Sequence, residues 1–139
     1  MTEIRRQQEQ VSTRPRIDKL GIKPDLRVAV IGVDDALLMD ELRTRTDQII
    51  VGTPRSLRDV IFYSAESLNA LDELKALRTK IVDNGAIWVV SKKGNDRSIN
   101  DTDVIGAAKR AGLVDNKVVS FSSTHTALRL VVPLALRAT

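Results

Sequence analysis

With 139 residues, 42% of them hydrophobic and 29% charged, the chain suits one globular domain with a real core. It has no cysteine, which excludes disulfides, thiolate metal sites and a thiol nucleophile; no apolar run approaches the roughly 20 residues of a membrane span, and MTEIRRQQEQ lacks the apolar stretch of a secretory signal, so we expect a cytosolic protein without a membrane partner. The net charge of +4 would suit an anionic partner, but the charges are interspersed and aromatics make up 3%, which disfavours nucleic acid and favours a mildly basic solvated surface.

Residues 1 to 16 are polar and aperiodic, with Arg5, Arg6, Arg14 and Arg16 setting the sign. They read as a loosely held basic tail ahead of one domain over 17–139, with structure starting near Leu20. Gly21 and Pro24 punctuate the approach to Arg27–Val33, a strand apolar on both faces, as a central parallel strand must be. Asp34 or Asp35 can cap the helix that follows, whose stripe is Leu37, Leu38 and Leu42. Gln48–Val51 and Asp59–Tyr63 are the second and third strands. Thr53 and Pro54 between them could begin a helical turn. The seven residues GTPRSLR reach at most about 23 Å, against roughly 20 Å for a diagonal past one intervening strand, so a parallel crossover fits tightly.

Ser64–Asp83 reads as one helix, with Leu68, Leu71, Leu74, Leu77 and Ile81 at helical spacing and Asn84-Gly85 as its C-cap. Ala86–Val90 is the fourth strand, ending at Ser91, Lys92 and Lys93. Asn100 or Asp101 caps a helix that Gly112 ends. Lys117–Phe121 and Leu128–Leu134 are too close for a helix between them and form an antiparallel hairpin. Asp115, Asn116 and Lys117 make the turn that leads into it, and Pro133 requires a strand end or edge. The expected architecture is α/β and Rossmann-like: a mostly parallel sheet in the order 2-1-3-4-6-5, helices on both faces and a C-terminal antiparallel hairpin.

Several segments carry a resemblance. KLGIKPDLRVAVIGV resembles the opening of class I S-adenosylmethionine methyltransferases, NGAIWVV their strand after the mid-chain helix, and AKRAGLVDNKVVSF with HTALRLVV their final helix and hairpin. The closer resemblance is to a small bacterial family of unknown function that looks like a shortened methyltransferase-like domain. It rests on Leu20–Pro24, Ile87-Trp88-Val89, Lys92-Lys93 and Gly112–Val118, and covers about residue 18 to the end. That family's Thr-Trp-Ser-Gly-Leu-Arg pattern is partly kept as Thr124–Arg129, with His125 and Ala127 in place of the Trp and Gly.

The resemblance implies a cofactor, but the residues it needs are missing. A glycine-rich turn should follow the first strand so that backbone can approach the ligand, and an acidic residue should end the second to hold the ribose. The chain offers Gly32-Val33-Asp34-Asp35 and Val51-Gly52-Thr53. No cofactor, metal or catalytic residue is therefore expected. A candidate anion site remains. Lys92 and Lys93 follow the fourth strand on the side where open α/β sheets bind ligands, and the next helix presents free amides near Asp101 and Thr102. Asp115, Asn116, Lys117, His125 and Arg129 are candidate loop contacts; His125, the lone histidine, reads as a surface-loop residue. Three functions compete: a non-catalytic module acting through protein contacts or a weak anion or nucleotide site, a methyltransferase with an unorthodox pocket, and a nucleic-acid-associated protein using the basic tail. The open sheet edges also admit a homodimer.

Overall fold

The computed structural model describes residues 14–95 and 97–137. Runs apolar on both faces become the inner strands: β1 (Val28–Ile31), β3 (Arg58–Ser64) and β4 (Ile81–Lys92). The shorter β2 (Ile49–Val51) and the hairpin β5 (Val114–Ser120) and β6 (His125–Val131) complete a sheet in the order β2-β1-β3-β4-β6-β5. β1 to β4 are parallel; β6 is antiparallel to both β4 and β5. The expected order and hairpin are both observed.

Alternation along the strands divides the core. Val28, Val30, Phe62, Trp88 and Val90 face α1 (Arg16–Lys19) and α2 (Ala36–Arg43) through Ile17, Leu20, Leu38 and Leu42. Ala29, Ile61, Ile87 and Val89 face α3 (Leu68–Leu71), α4 (Leu74–Arg78) and α5 (Asp101–Arg110) through Leu71, Leu74, Leu77, Val104 and Ala108. Each such leucine contributes roughly 1.5–3 kcal/mol. Local chemistry fixes the helix ends. Asp35 caps α2 by accepting from the Leu38 amide. Asn100 and Asp103 form a capping box on α5. Gly112, at φ 80°, closes α5 with Leu113 N–H donating to the Ala108 carbonyl.

Several expectations need correction. Among the described residues the first element is the helix at Arg16–Lys19, ahead of the expected start near Leu20; residues 1–13 of the expected tail lie outside the described residues. Leu37 is exposed, and only Leu38 and Leu42 of that stripe are buried. The helix expected over Ser64–Asp83 is two short ones: Ser64 closes β3, and Asp72 and Glu73 donate three residues back, a tightened turn that interrupts the ladder. Ile81 belongs to β4, paired with Arg58. The next pairing is Val60 with Ala86, so Val82–Gly85 bulge out of register and Asn84-Gly85 is no helix cap. Residues 52–57 contain no helical turn at Thr53-Pro54; the chain crosses past β1 without one. Asp115, Asn116 and Lys117 lie inside β5, where Asn116 is the extra residue of a bulge rather than part of a turn. β6 ends before Pro133, and Leu134 sits in a short 3-10 turn, not in the strand.

Candidate functional site

Parallel strands end together, and polar residues gather at the C-terminal ends of β1, β3 and β4, where two cavities open. β1 runs into Gly32, whose φ of 73° turns the chain towards α2. Arg16 locks this corner. Its guanidinium donates to Asp35 Oδ2 at 2.9 Å, Glu41 Oε1 at 2.8 Å and the Phe121 carbonyl at 2.9 Å, and lies 4.6 Å from the Phe121 ring centroid. Burial works to raise the Asp35 carboxyl, but the hydrogen bonds from Arg16 and the Leu38 amide outweigh it and hold Asp35 below the usual carboxylate range.

Two cavities flank the end of β4. The first, about 270 Å³, is lined by Gly32, Asp34, Ser64, Phe121, Thr124 and His125, among others. His125 begins β6, half-buried, with Nδ1 2.7 Å from Thr124 Oγ1 and Nε2 3.7 Å from Glu66 Oε2. It is therefore a cavity residue rather than a surface-loop one. Glu66 was not legible as its neighbour, because they are distant in sequence and meet only through β4–β6 pairing.

This edge does not fit a conventionally held nucleotide cofactor. β2 ends at Val51, which is 76% exposed, and no carboxylate follows. A Cβ at Gly32 would meet Ser64 at 3.6 Å, an ordinary contact, and one at Gly52 would meet nothing within 4 Å. Both glycines adopt positive φ, a conformation that by itself favours glycine. Among the described residues no group of His, Asp and Glu side chains could hold a metal ion, and no helix is long and apolar enough to cross a membrane.

The second cavity, about 420 Å³, brings together Lys92, Lys93, Asp101 and Thr102, the four residues singled out in the sequence, and adds Arg97 and Asn100. Lys92 closes β4 opposite His125; Lys93 N–H donates to the Thr124 carbonyl, and its ammonium to Ser120 Oγ at 2.9 Å. The capping box occupies the Asp103 amide, leaving those of Asp101 and Thr102 open. The Asp101 carboxylate offsets part of the positive field. Arg97 lies in the polar loop before α5, where spacing alone gave no reason to choose it. Asp115, Asn116, Lys117 and Arg129 are not part of this edge; Lys117 and Arg129 line a separate cavity on the other face of the sheet.

Solved structures share the fold. The pyocyanin biosynthetic protein PhzM is 11% identical at a TM-score of 0.65, over 83% of this chain and 52% of that one. The magnesium protoporphyrin IX methyltransferase ChlM from Synechocystis PCC 6803 is 11% identical at 0.57, over 94% and 82%. A TehB-like SAM-dependent methyltransferase from Corynebacterium glutamicum is 12% identical at 0.53, over 93% and 95%. The chain thus spans about half the length of PhzM and most of the other two. No curated protein matches it. Residues 17–134 match the family described as protein of unknown function, DUF3052, so the chain is a member of that family with the fold of a shortened methyltransferase-like domain.

Proposed function

We propose that the chain is a cytosolic, non-catalytic Rossmann-like binding module that takes a small phosphate-bearing ligand at the end of β4. The convergence of Lys92, Lys93 and Arg97 on one cavity beside two open helix amides supports this reading. Affinity is modest, because Asp101 shares the mouth. A thermal-shift screen with nucleotides and phosphate esters at constant ionic strength tests it. Ligand at 100 times Kd adds about 2.7 kcal/mol. Lys92→Ala with Lys93→Ala should abolish that protection, and no protection of the parent protein ends the reading.

His125, placed between Glu66 and Thr124 in the first cavity, favours a second reading: a methyltransferase with an unorthodox pocket and His125 as base. Calorimetry with S-adenosylmethionine at millimolar concentration showing no heat of binding removes it. The nucleic-acid reading loses Arg16, which is engaged within the fold; Arg5 and Arg6 lie outside the described residues. Its test, steeply salt-dependent binding lost on truncation, requires a truncation ending at residue 13, since removing Arg16 would itself disturb α2.

A further inference from the structure

On the face of the sheet that carries α1, three side chains stand in one cross-strand row. Trp88 on β4 is directly opposite Arg129 on β6, and Arg129 is directly opposite Lys117 on β5. The bulge at Asn116 makes the row. Asp115 pairs with Leu130 and Lys117 with Arg129, so the extra residue re-aims Lys117 from the α5 face to the α1 face. The outcome is two cations side by side, about 5 Å apart at Cβ, an arrangement that destabilises a sheet by itself. The cavity they line, about 300 Å³, also includes Lys23 and no acidic residue. The Arg129 guanidinium makes no hydrogen bond or ion pair with a described residue, and the indole N–H of Trp88, whose side chain is fully buried, has no acceptor among them. A buried N–H left unpaired forfeits the hydrogen bond it made to water in the unfolded chain. Lys117 alone has an acceptor, the Lys19 carbonyl at 2.6 Å.

We propose that Trp88, Arg129 and Lys117 form a binding site for a phosphate group, free or carried on a small ligand, separate from the Lys92 cavity. The guanidinium supplies donors without acceptors and the ammonium further donors and charge, while Trp88, whose buried N–H has no acceptor among the described residues, lines the same cavity. A tetrahedral oxyanion with several acceptor oxygens answers such a spread of donors better than a two-oxygen carboxylate. Burial, together with the neighbouring cations, Arg14, Arg129 and Lys19 for Lys117 and Arg137 for Arg129, pushes both groups below their ordinary pKa, the direction a nearby anion would reverse.

Trp88 is the only tryptophan, so a labelled chain gives a single indole N–H signal. Inorganic phosphate, titrated into the full chain at constant ionic strength held with chloride, should move that signal saturably with a Kd on the order of 1 mM; acetate should move it at least several-fold more weakly. Arg129→Gln and, separately, Lys117→Gln should each weaken the titration at least tenfold, whereas Lys92→Ala with Lys93→Ala should leave it intact. Lys117 sits on an edge strand, so its variant keeps the test alive if Arg129→Gln fails to fold. An indole signal that does not saturate, an unchanged Kd in Lys117→Gln, or a titration lost only in the Lys92/Lys93 variant overturns the proposal. The last outcome would leave the reading of the Lys92 cavity standing.

Discussion

Arg16→Gln should lower stability by about 2–4 kcal/mol, taking the low end of buried ion-pair loss because the carboxylates keep some solvent, and Tm should fall on the order of 10 °C. The Arg16 side chain is only 12% exposed. It pairs with both Asp35 and Glu41, donates to the Phe121 carbonyl and lies against the Phe121 ring. Glutamine leaves two carboxylates side by side with no cation between them. The Arg43–Asp40 pair provides the contrast: both side chains are exposed, and Arg43→Gln should change stability by about 0.5 kcal/mol or less. The pH dependence has a definite sign. Because Asp35 is held below its unfolded value, its contribution is complete above the ordinary carboxylate range and disappears as pH falls through the folded value. The difference between parent and variant should therefore hold constant from about pH 7 down to about pH 5 and shrink as pH falls below that, in denaturant titrations. A difference that stays constant there too would locate Arg16's contribution in the Phe121 contacts instead.

Gly85→Ala should cost about 2–3 kcal/mol as overpacking. The added methyl would stand 2.8 Å from the Asp59 carbonyl, 3.1 Å from that of Val82 and 3.3 Å from that of Arg58. All three neighbours are backbone, so none can rotate away. Relief would have to shift Asp59, whose carboxylate accepts from the amide and guanidinium of Arg27 and is held below the usual range chiefly by that guanidinium. A shift in the denaturation midpoint worth less than about 1 kcal/mol would show that the β4 bulge yields.

The inner strands were legible because a strand covered on both sides must be apolar on both sides, and VAVI and DVIFY can be little else. The sheet order followed from helix placement and from a hairpin too short for a crossover. What escaped was decided across the sheet. Val82–Gly85 reads locally as the end of a helix, yet pairing of Ile81 with Arg58 draws it into β4. Asp115-Asn116-Lys117 reads locally as a turn, and only its partners on β6 show a bulge. Arg16 belongs by composition to a tail; its place depends on carboxylates 19 and 25 residues away in sequence. The anion cavity was half legible: the lysine pair follows from the strand end, but Arg97 required the loop to fold back.

The helix-free crossover at residues 52–57 has a kinetic consequence. β2 pairs only with β1, over three residues, and its last, Val51, is exposed. Such a strand opens by itself, without unfolding the sheet, because β1 stays clamped by β3. Backbone amides of Ile49–Val51 should exchange with deuterated solvent through local fluctuation, while those of Ile61 and Ile87 exchange only on global unfolding. That exchange pattern would make β2 a strand that opens apart from the other five; it lies across the sheet from β5, and both cavities sit at the end of β4, away from it.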